Sequence, residues 1–354
     1  MKTSINILLA FIFAACTSVP DERTTSYVDF PETRELTART LSLDSALFRY
    51  PYRVRVQDDK AVVLDLHGTE YFFHAFHYPD FHYLSSFGKR GDAPEEMLSA
   101  ENLRWNGNFL WTLDSNKSEL TRLGFASSGN SLLRLEAVSL DEELLRALDF
   151  VQYDDSTFII PDYSGDSRFC LVSRQGKLLR KIGTIPTTNE DALKSARPAL
   201  AQAWRSFIDY NPRNGILVAA TQLGEVLEIY NLKDSTHLAC IGPNGEPEFQ
   251  ISQGYGIPTG IMGFSDIQVT DNAIYVVFQG HAFKDIMQKA QQGINLPNGG
   301  QNIYVFSLEG KPLRKYVLDH YIHGISVDEQ KGIIIATDVN KDEPIIEYRF
   351  HPVA

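Results

Sequence analysis

The chain has 354 residues, 43% hydrophobic and 22% charged, a composition that supplies a core and excludes a disordered polymer. Its 33 Lys and Arg stand against 45 Asp and Glu, a formal charge of −12, which argues against a nucleic-acid surface because that needs a basic stripe to displace counterions. Three cysteines are too few for a disulfide scaffold, and the aromatic share of 11% suits strands more than helices.

The first predicted element is a leader. Lys2 supplies one positive charge, and Ile5 to Ala15 is apolar apart from Asn6. That run is too short to span a bilayer as a mature helix and reads as a signal peptide over residues 1–15. Phe13-Ala14-Ala15-Cys16 resembles the bacterial lipobox, with Phe13 where that pattern prefers Leu. The resemblance implies cleavage before Cys16 and a lipidated N-terminus, which anchors a protein without a transmembrane segment. Cleavage would remove Lys2 and leave a formal charge of −13. Residues 16–34, with Pro20 and Pro31, then read as the lipidated cysteine and its tether. Cys170 and Cys240 are expected to be two buried thiols.

From residue 35 to 354 the sequence is periodic. Gly88-Lys89-Arg90-Gly91-Asp92-Ala93-Pro94-Glu95 is echoed, with one residue deleted, by Gly242-Pro243-Asn244-Gly245-Glu246-Pro247-Glu248, 154 residues later. A worn copy, Ile182-Gly183-Thr184-Ile185-Pro186, lies between them. The spacings fit units of about 50 residues, the length of a propeller blade. The clearest unit is Phe264–Val269, Ala273–Phe278, Asn302–Leu308 and Lys311–Leu318, four strands A to D joined by turns. Equivalent sets begin near Tyr52, Asn102, Leu148, Trp204 and Gly324. The last has three strands and the spare strand Glu35–Leu43 has no unit, so the N-terminal strand should close the last blade and remove the open edge. The fold class is therefore all-β, a six-bladed β-propeller. Two short helices are expected, from Asn189 through Arg197 and over Ala282–Gln292.

The Gly-x-x-Gly-acid-Pro-Glu connectors and the strand B ending Leu110-Trp111-Thr112-Leu113-Asp114 resemble the TolB-like six-bladed propeller lipoproteins of Gram-negative envelopes, relatives of NHL-repeat propellers. The resemblance covers roughly residues 35–350 and implies a location on the outer membrane, periplasmic or surface-exposed. It implies no reaction, because propellers host binding proteins and enzymes alike.

Several groups of residues are candidates for function. Asp65, Asp114, Asp162 and Asp338 end strand B and would share one face around the channel mouth. They would hold a divalent cation such as calcium or a cationic ligand, or else accept backbone N–H groups in their own turns. The loops Thr184–Ala203, Gly242–Gly263 and Gln279–Gln301 overhang the same face and bring Trp204, Arg205, Tyr255, His281 and Lys284. His323 precedes the last strand A and is a second base near the channel. His67, His74, His77 and His82 cluster in one hairpin, where a Pro79-Asp80 turn sets His77 opposite His82 on the outer rim. No zinc, Cys-x-x-Cys or nucleophile-elbow motif is present, and the glycine connectors lack the Gly-Lys-Ser/Thr ending of a phosphate loop. The expectation is a lipid-anchored binding module for a small polar ligand (a glycan or peptide) or an envelope protein. The alternative is an envelope hydrolase or lyase with a metal-assisted site at the channel mouth.

Overall fold

Strand B of each repeat is apolar almost throughout, because in a ring of blades both faces of a strand are covered. Ile216–Thr221 and Ala273–Phe278 are buried at every position. The computed structural model describes residues 22–43, 48–127, 129–194 and 196–352. Each sheet of the ring is an antiparallel set built in chain order. Blade I is Pro51–Gln57, Lys60–Asp65, Tyr71–His77 and Tyr83–Lys89. Blade II is Asn102–Asn106, Phe109–Asp114, Glu119–Phe125 and Leu132–Ser139. Blade III is Val151–Asp154, Thr157–Pro161, Phe169–Ser173 and Leu178–Ile182. Blade IV is Ser206–Asn211, Ile216–Thr221, Val226–Asn231 and Thr236–Ile241. Blade V is Phe264–Val269, Ala273–Phe278, Gly300–Ser307 and Pro312–Ile322. Blade VI is Ile325–Asp328, Ile333–Thr337 and Ile345–Arg349, with Arg39–Thr40 as its outer strand.

The ring closes through its cores. Separate buried clusters fill the interfaces I/II, II/III, III/IV, IV/V and V/VI, and another joins Ile335 and Ile345 of blade VI to Val54, Val63 and Phe76 of blade I. Each fully buried Phe or Leu in these faces contributes about 1.5–3 kcal/mol, so the seal between last and first blade is as substantial as the others.

The closing segment does more than expected. Within Glu35–Leu43, Arg39 and Thr40 alone form the outer strand of blade VI. Ahead of them, Thr33–Leu36 adds parallel to strand D of blade V, and Glu22–Ser26 adds parallel to strand D of blade IV. Much of the region expected as tether is therefore a strap across three outer edges. Tyr27 and Phe30 explain its adherence: both are buried against Phe306, and the Tyr27 hydroxyl donates to Glu225 at 2.8 Å. Cys16 and the leader lie outside the described residues. No helix among the described residues is long and apolar enough to cross a membrane.

The three long loops share the face on which strands A begin. The first carries helices α1, Glu190–Leu193, and α2, Arg197–Ala203, where one helix was expected. Asn189 caps α1 by accepting from two backbone N–H groups, and a proline in the first turn of α2 starts a new helix. The second carries a hairpin, Phe249–Ser252 with Tyr255–Pro258. The third carries α3, Phe283–Gln291. They lock into one wall: Thr187 and Thr188 donate to Glu246, Gly256 donates to Gln202 at 3.1 Å, and Met262 donates to the His281 carbonyl at 2.8 Å. The wall stands over blades III to V, whereas the other blades meet this face with shorter connections.

Candidate functional site

Strand A of each blade lines the channel, and alternate residues point into it. At mid-depth the polar residues are paired. Arg55 donates from Nη1 and Nη2 to the two oxygens of Asp266 at 2.8 Å, and to the Ile325 carbonyl at 2.7 Å. Arg104 donates to Asp209 at 2.6 Å, to both oxygens of Asp149, and to the Phe150 carbonyl. The same carboxylates also accept backbone N–H groups: Asp149 that of Ile208, Asp209 that of Val269 and Asp266 that of Ile325. Burial alone would raise the Asp266 carboxyl, but Arg53 and Arg55 hold it down at about 2. This lattice ties strands A of five blades together.

Toward the mouth the pairing stops. Arg53, two residues above Arg55, is 1% exposed, stacked between the rings of Tyr52 at 5.0 Å and Phe207 at 4.6 Å. One Nη2 bond reaches the Ser265 carbonyl, Nε sits 3.4 Å from the Asp266 carboxylate that Arg55 already occupies, and Nε and Nη1 make no hydrogen bond. His323 is buried beside it, with Nε2 on the Tyr50 hydroxyl at 3.0 Å and Nδ1 unpartnered. Burial and then the Arg53 charge push the imidazole down to about 4, so at neutral pH the ring is uncharged. Tyr163, in the turn after strand B of blade III, has a buried hydroxyl without a partner. Burial raises the Tyr52 and Tyr163 hydroxyls, and the charges of both Arg205 and Glu101 act on each. Residues of blades I, II, III and IV at this end of the channel are thus within range of one another's charge, and His323 of blade VI is within range of Arg53.

The expected site residues divide clearly. Arg205 and His323 come to the mouth. Arg205 donates Nε to Gln222 at 2.8 Å and pairs with no carboxylate among the described residues. Trp204 is 1% exposed, packed among Leu200, Ala203 and Val226 under the wall, with its carbonyl accepting from Arg168. Tyr255 stands exposed on the hairpin. His281 lies under α3, its ring over Tyr321 and its Nε2 buried without a partner; burial pushes its imidazole down.

The aspartates form no open ring. Asp65, Asp114, Asp162 and Asp338 are each at most 5% exposed and each is taken up by neighbouring backbone. Asp65 accepts from the N–H groups of Arg49 and Tyr50; Asp114 from those of Leu98, Asn116 and Lys117 and from the Ser99 hydroxyl. Asp162 accepts from Ser164 and Ser167, and Asp338 from Asn340 and the His320 ring. Their role is to bind the end of strand B to its turn and, in blades I and II, to the connector arriving from the previous strand D. No group of three His, Cys, Asp or Glu among the described residues is placed to hold a metal ion.

The histidine hairpin is likewise occupied: His77 Nδ1 meets Asp80 at 2.8 Å and His74 Nδ1 meets Ser86 at 2.8 Å. Cys170 and Cys240 are separate buried thiols, and burial pushes both up to about 12. An apolar cleft of about 340 Å³ opens between blades III and IV, lined by Tyr153, Phe169, Leu217 and Tyr230, away from the mouth. Sequence reasoning missed Arg53, Tyr52 and Tyr163. The available signal was the charge in Arg53-Val54-Arg55, set inside an inner strand whose neighbours are apolar.

A family profile described as TolB-like 6-blade propeller-like matches residues 29–330. No curated protein matches. Among solved structures, a Bacteroides fragilis protein designated as exported shares 10% identity at a TM-score of 0.59, over 94% of this chain and all of the other. An auxiliary nutrient binding protein from Bacteroides ovatus shares 10% identity at a TM-score of 0.55, over 89% of this chain and 76% of the other. A streptogramin B lyase shares 12% identity at a TM-score of 0.50, over 90% of this chain and 88% of the other. At these identities the likeness is one of fold.

Proposed function

We propose that this chain, which belongs to the TolB-like six-blade propeller family, is a binding module of the cell envelope that takes a small polar ligand at the channel mouth. One observation carries the reading: Arg53, His323 and Tyr163, from different blades, each hold a buried polar atom without a hydrogen-bond partner at the same end of the channel. A buried donor left unmade costs about 1–3 kcal/mol, so several of them in one place mark a position completed by something else. The wall on one side of the mouth supports the same reading, since loops held by a rigid scaffold are where ligands are received. The exported and nutrient-binding relatives of the same fold are consistent with a role outside the cytoplasm.

Lipidation at Cys16 would join this module to the outer membrane. The strap gives the anchor a direction. Glu22 pairs with His237 near the start of strand D of blade IV, and Ser26 with Ile241 at its end. Strand D starts on the face opposite the mouth, so the chain enters the propeller there. Six residues span at most about 20 Å, which would keep that face toward the bilayer and the mouth away from it.

Two measurements test the proposal. Cys16→Ala should release the protein from membranes; unchanged membrane association would remove the anchor. A panel of oligosaccharides and short peptides should yield a member that slows hydrogen exchange in residues 50–55 and 321–324. Protection confined to the opposite face, or none across the panel, would remove the mouth as the site.

A further inference from the structure

We propose that the cleft between blades III and IV is a second binding site, for a small amphipathic anion: an apolar chain that ends in a carboxylate. It lies away from the mouth and does not rest on the reading above. Strand pairing sets two rows of side chains along its walls. Ile159, Leu171 and Arg180 stand in register across strands B, C and D of blade III. Leu217, Tyr230 and His237 stand in register across the same strands of blade IV. All six line the cleft, whose volume of about 340 Å³ is that of a small-ligand pocket. From strand B to strand D each row runs about 10 Å, two strand spacings, so an extended chain can lie along it. The inner ends, Ile159 and Leu217, are buried in the core between the two blades, whereas Ile182, Tyr230 and Leu232 pack against that core and stay partly exposed. Apolar side chains left wet in this way gain from being covered.

Charge sets the polarity of the occupant. Arg180, at the outer end of its row, is exposed, and its guanidinium is held by no hydrogen bond or ion pair among the described residues. No Asp or Glu among the described residues lines the cleft. The carboxylate on the facing side of blade IV, Glu228, is buried and already taken. Arg168 donates to it from Nε at 3.0 Å and Nη2 at 2.6 Å, and the Tyr230 hydroxyl donates at 2.6 Å. Asp154 and Asp234 adjoin the lining in sequence but accept from Ser156 and Thr236 within their own turns. Lys181, on the other side of the edge strand, pairs with Asp162 at 3.2 Å. His237 lies flat on the Tyr230 ring at 4.1 Å and 3.9 Å from Glu228, and gives the outer end a second polar edge. An apolar slot with an open guanidinium at its outer end fits an anionic head on an apolar body, because a head seated on Arg180 leaves the chain directed inward.

Titration calorimetry on the full-length protein, with every probe below its micelle-forming concentration, would compare octanoate with 1-octanol and with hexanoate. Octanoate is expected to bind at least about tenfold tighter than the alcohol, and about tenfold tighter than hexanoate, whose chain is two methylenes shorter. Arg180→Gln, at an exposed position, should weaken octanoate by about tenfold and leave 1-octanol unchanged. Leu171→Trp fills the slot and should remove the binding of both; if that variant does not fold, octanoate should instead slow hydrogen exchange in residues 169–171 and 230–237 of the wild type. An alcohol that binds as tightly as the acid would make the occupant a neutral apolar body and overturn the anion. Octanoate binding untouched by Arg180→Gln, or protection confined to other residues such as 50–55, would overturn the cleft as its site. No binding of any of the three probes would remove the cleft as a binding site and leave the mouth as it stands.

Discussion

Arg53 and Arg55 lie two residues apart on one inner strand, both buried and both aimed into the channel, yet they are bound in opposite ways. Arg55 spends its donors on Asp266, the Ile325 carbonyl and the Val54 carbonyl. Arg53 has one good hydrogen bond and two nitrogens without any. The same residue type thus serves as a fully paired tie at mid-depth and stands incompletely paired toward the mouth. What separates them is the location of the carboxylates. Asp149, Asp209 and Asp266 lie level with Arg55 and Arg104, while the mouth offers Arg53 none of its own. Identity and burial do not tell a structural charge from a functional one; completion of its partners does.

Removing Asp266 should break the comparison most severely. Asp266→Ala leaves Arg53 and Arg55 buried together without a counter-charge and takes an acceptor from the Ile325 N–H. A loss of about 3–5 kcal/mol is expected in denaturant unfolding. Arg205→Gln at the mouth should change stability by less than about 0.5 kcal/mol. Comparable losses in the two variants would show that the mouth is as structural as the lattice below it.

His323 sharpens the comparison through pH. Its folded value is about 4 against an ordinary 6.5, because burial and Arg53 disfavour the cation. The unfolded chain therefore binds a proton that the folded chain refuses. The group's contribution is fully present above pH 6.5 and is lost as the pH falls toward 4, reaching about 3 kcal/mol. His323→Gln can still bond Tyr50 but does not titrate, so its stability should vary less across that window. An identical pH profile in variant and wild type would place His323 in contact with water rather than in a dry site.

Next in size is the turn aspartate of blade II. Asp114→Ala removes an acceptor shared by Leu98, Ser99, Asn116 and Lys117, and a loss of about 2–3 kcal/mol is expected. Neither calcium nor a chelator should move the melting temperature of the wild type. A chelator-dependent melt would reopen the metal reading.

The ring itself was legible because it is written in repetition. The spacing of connectors, the apolar strand B and the missing fourth strand of the last set together specify the blade number and its closure. The left-handed Gly88 and Gly183, φ +65° and +69°, show why those connector glycines stand where they do. The strap was not legible. Residues 22–36 are polar and proline-bearing, and their pairing depends on exposed edges of blades IV and V far away in sequence. The mouth was half legible. Position before a strand A brought out Arg205 and His323, whereas Arg53 became visible only once Asp266, 213 residues on, was seen to be shared. Trp204 followed the same positional logic and fell into the core, because the wall's helix α2 folds back over it.

The most local expected effect concerns the wall. Gly256 in its hairpin lies so close to α2 that a Cβ atom would sit 2.6 Å from the Ala199 carbonyl oxygen. Gly256→Ala must push the hairpin off the helix and break the bond from the Gly256 N–H to Gln202. The ring beneath is sealed by its own clusters, so the melting transition should shift by no more than about 1 kcal/mol in stability. Hydrogen exchange should rise over residues 197–203 and 249–258 and stay unchanged in the blades. A shift as large as that of Asp266→Ala would mean that the wall folds as part of the ring. The confined outcome would mean that the two halves of the mouth differ in kind, one fixed by the ring and the other an added cover that can adjust to what the mouth receives.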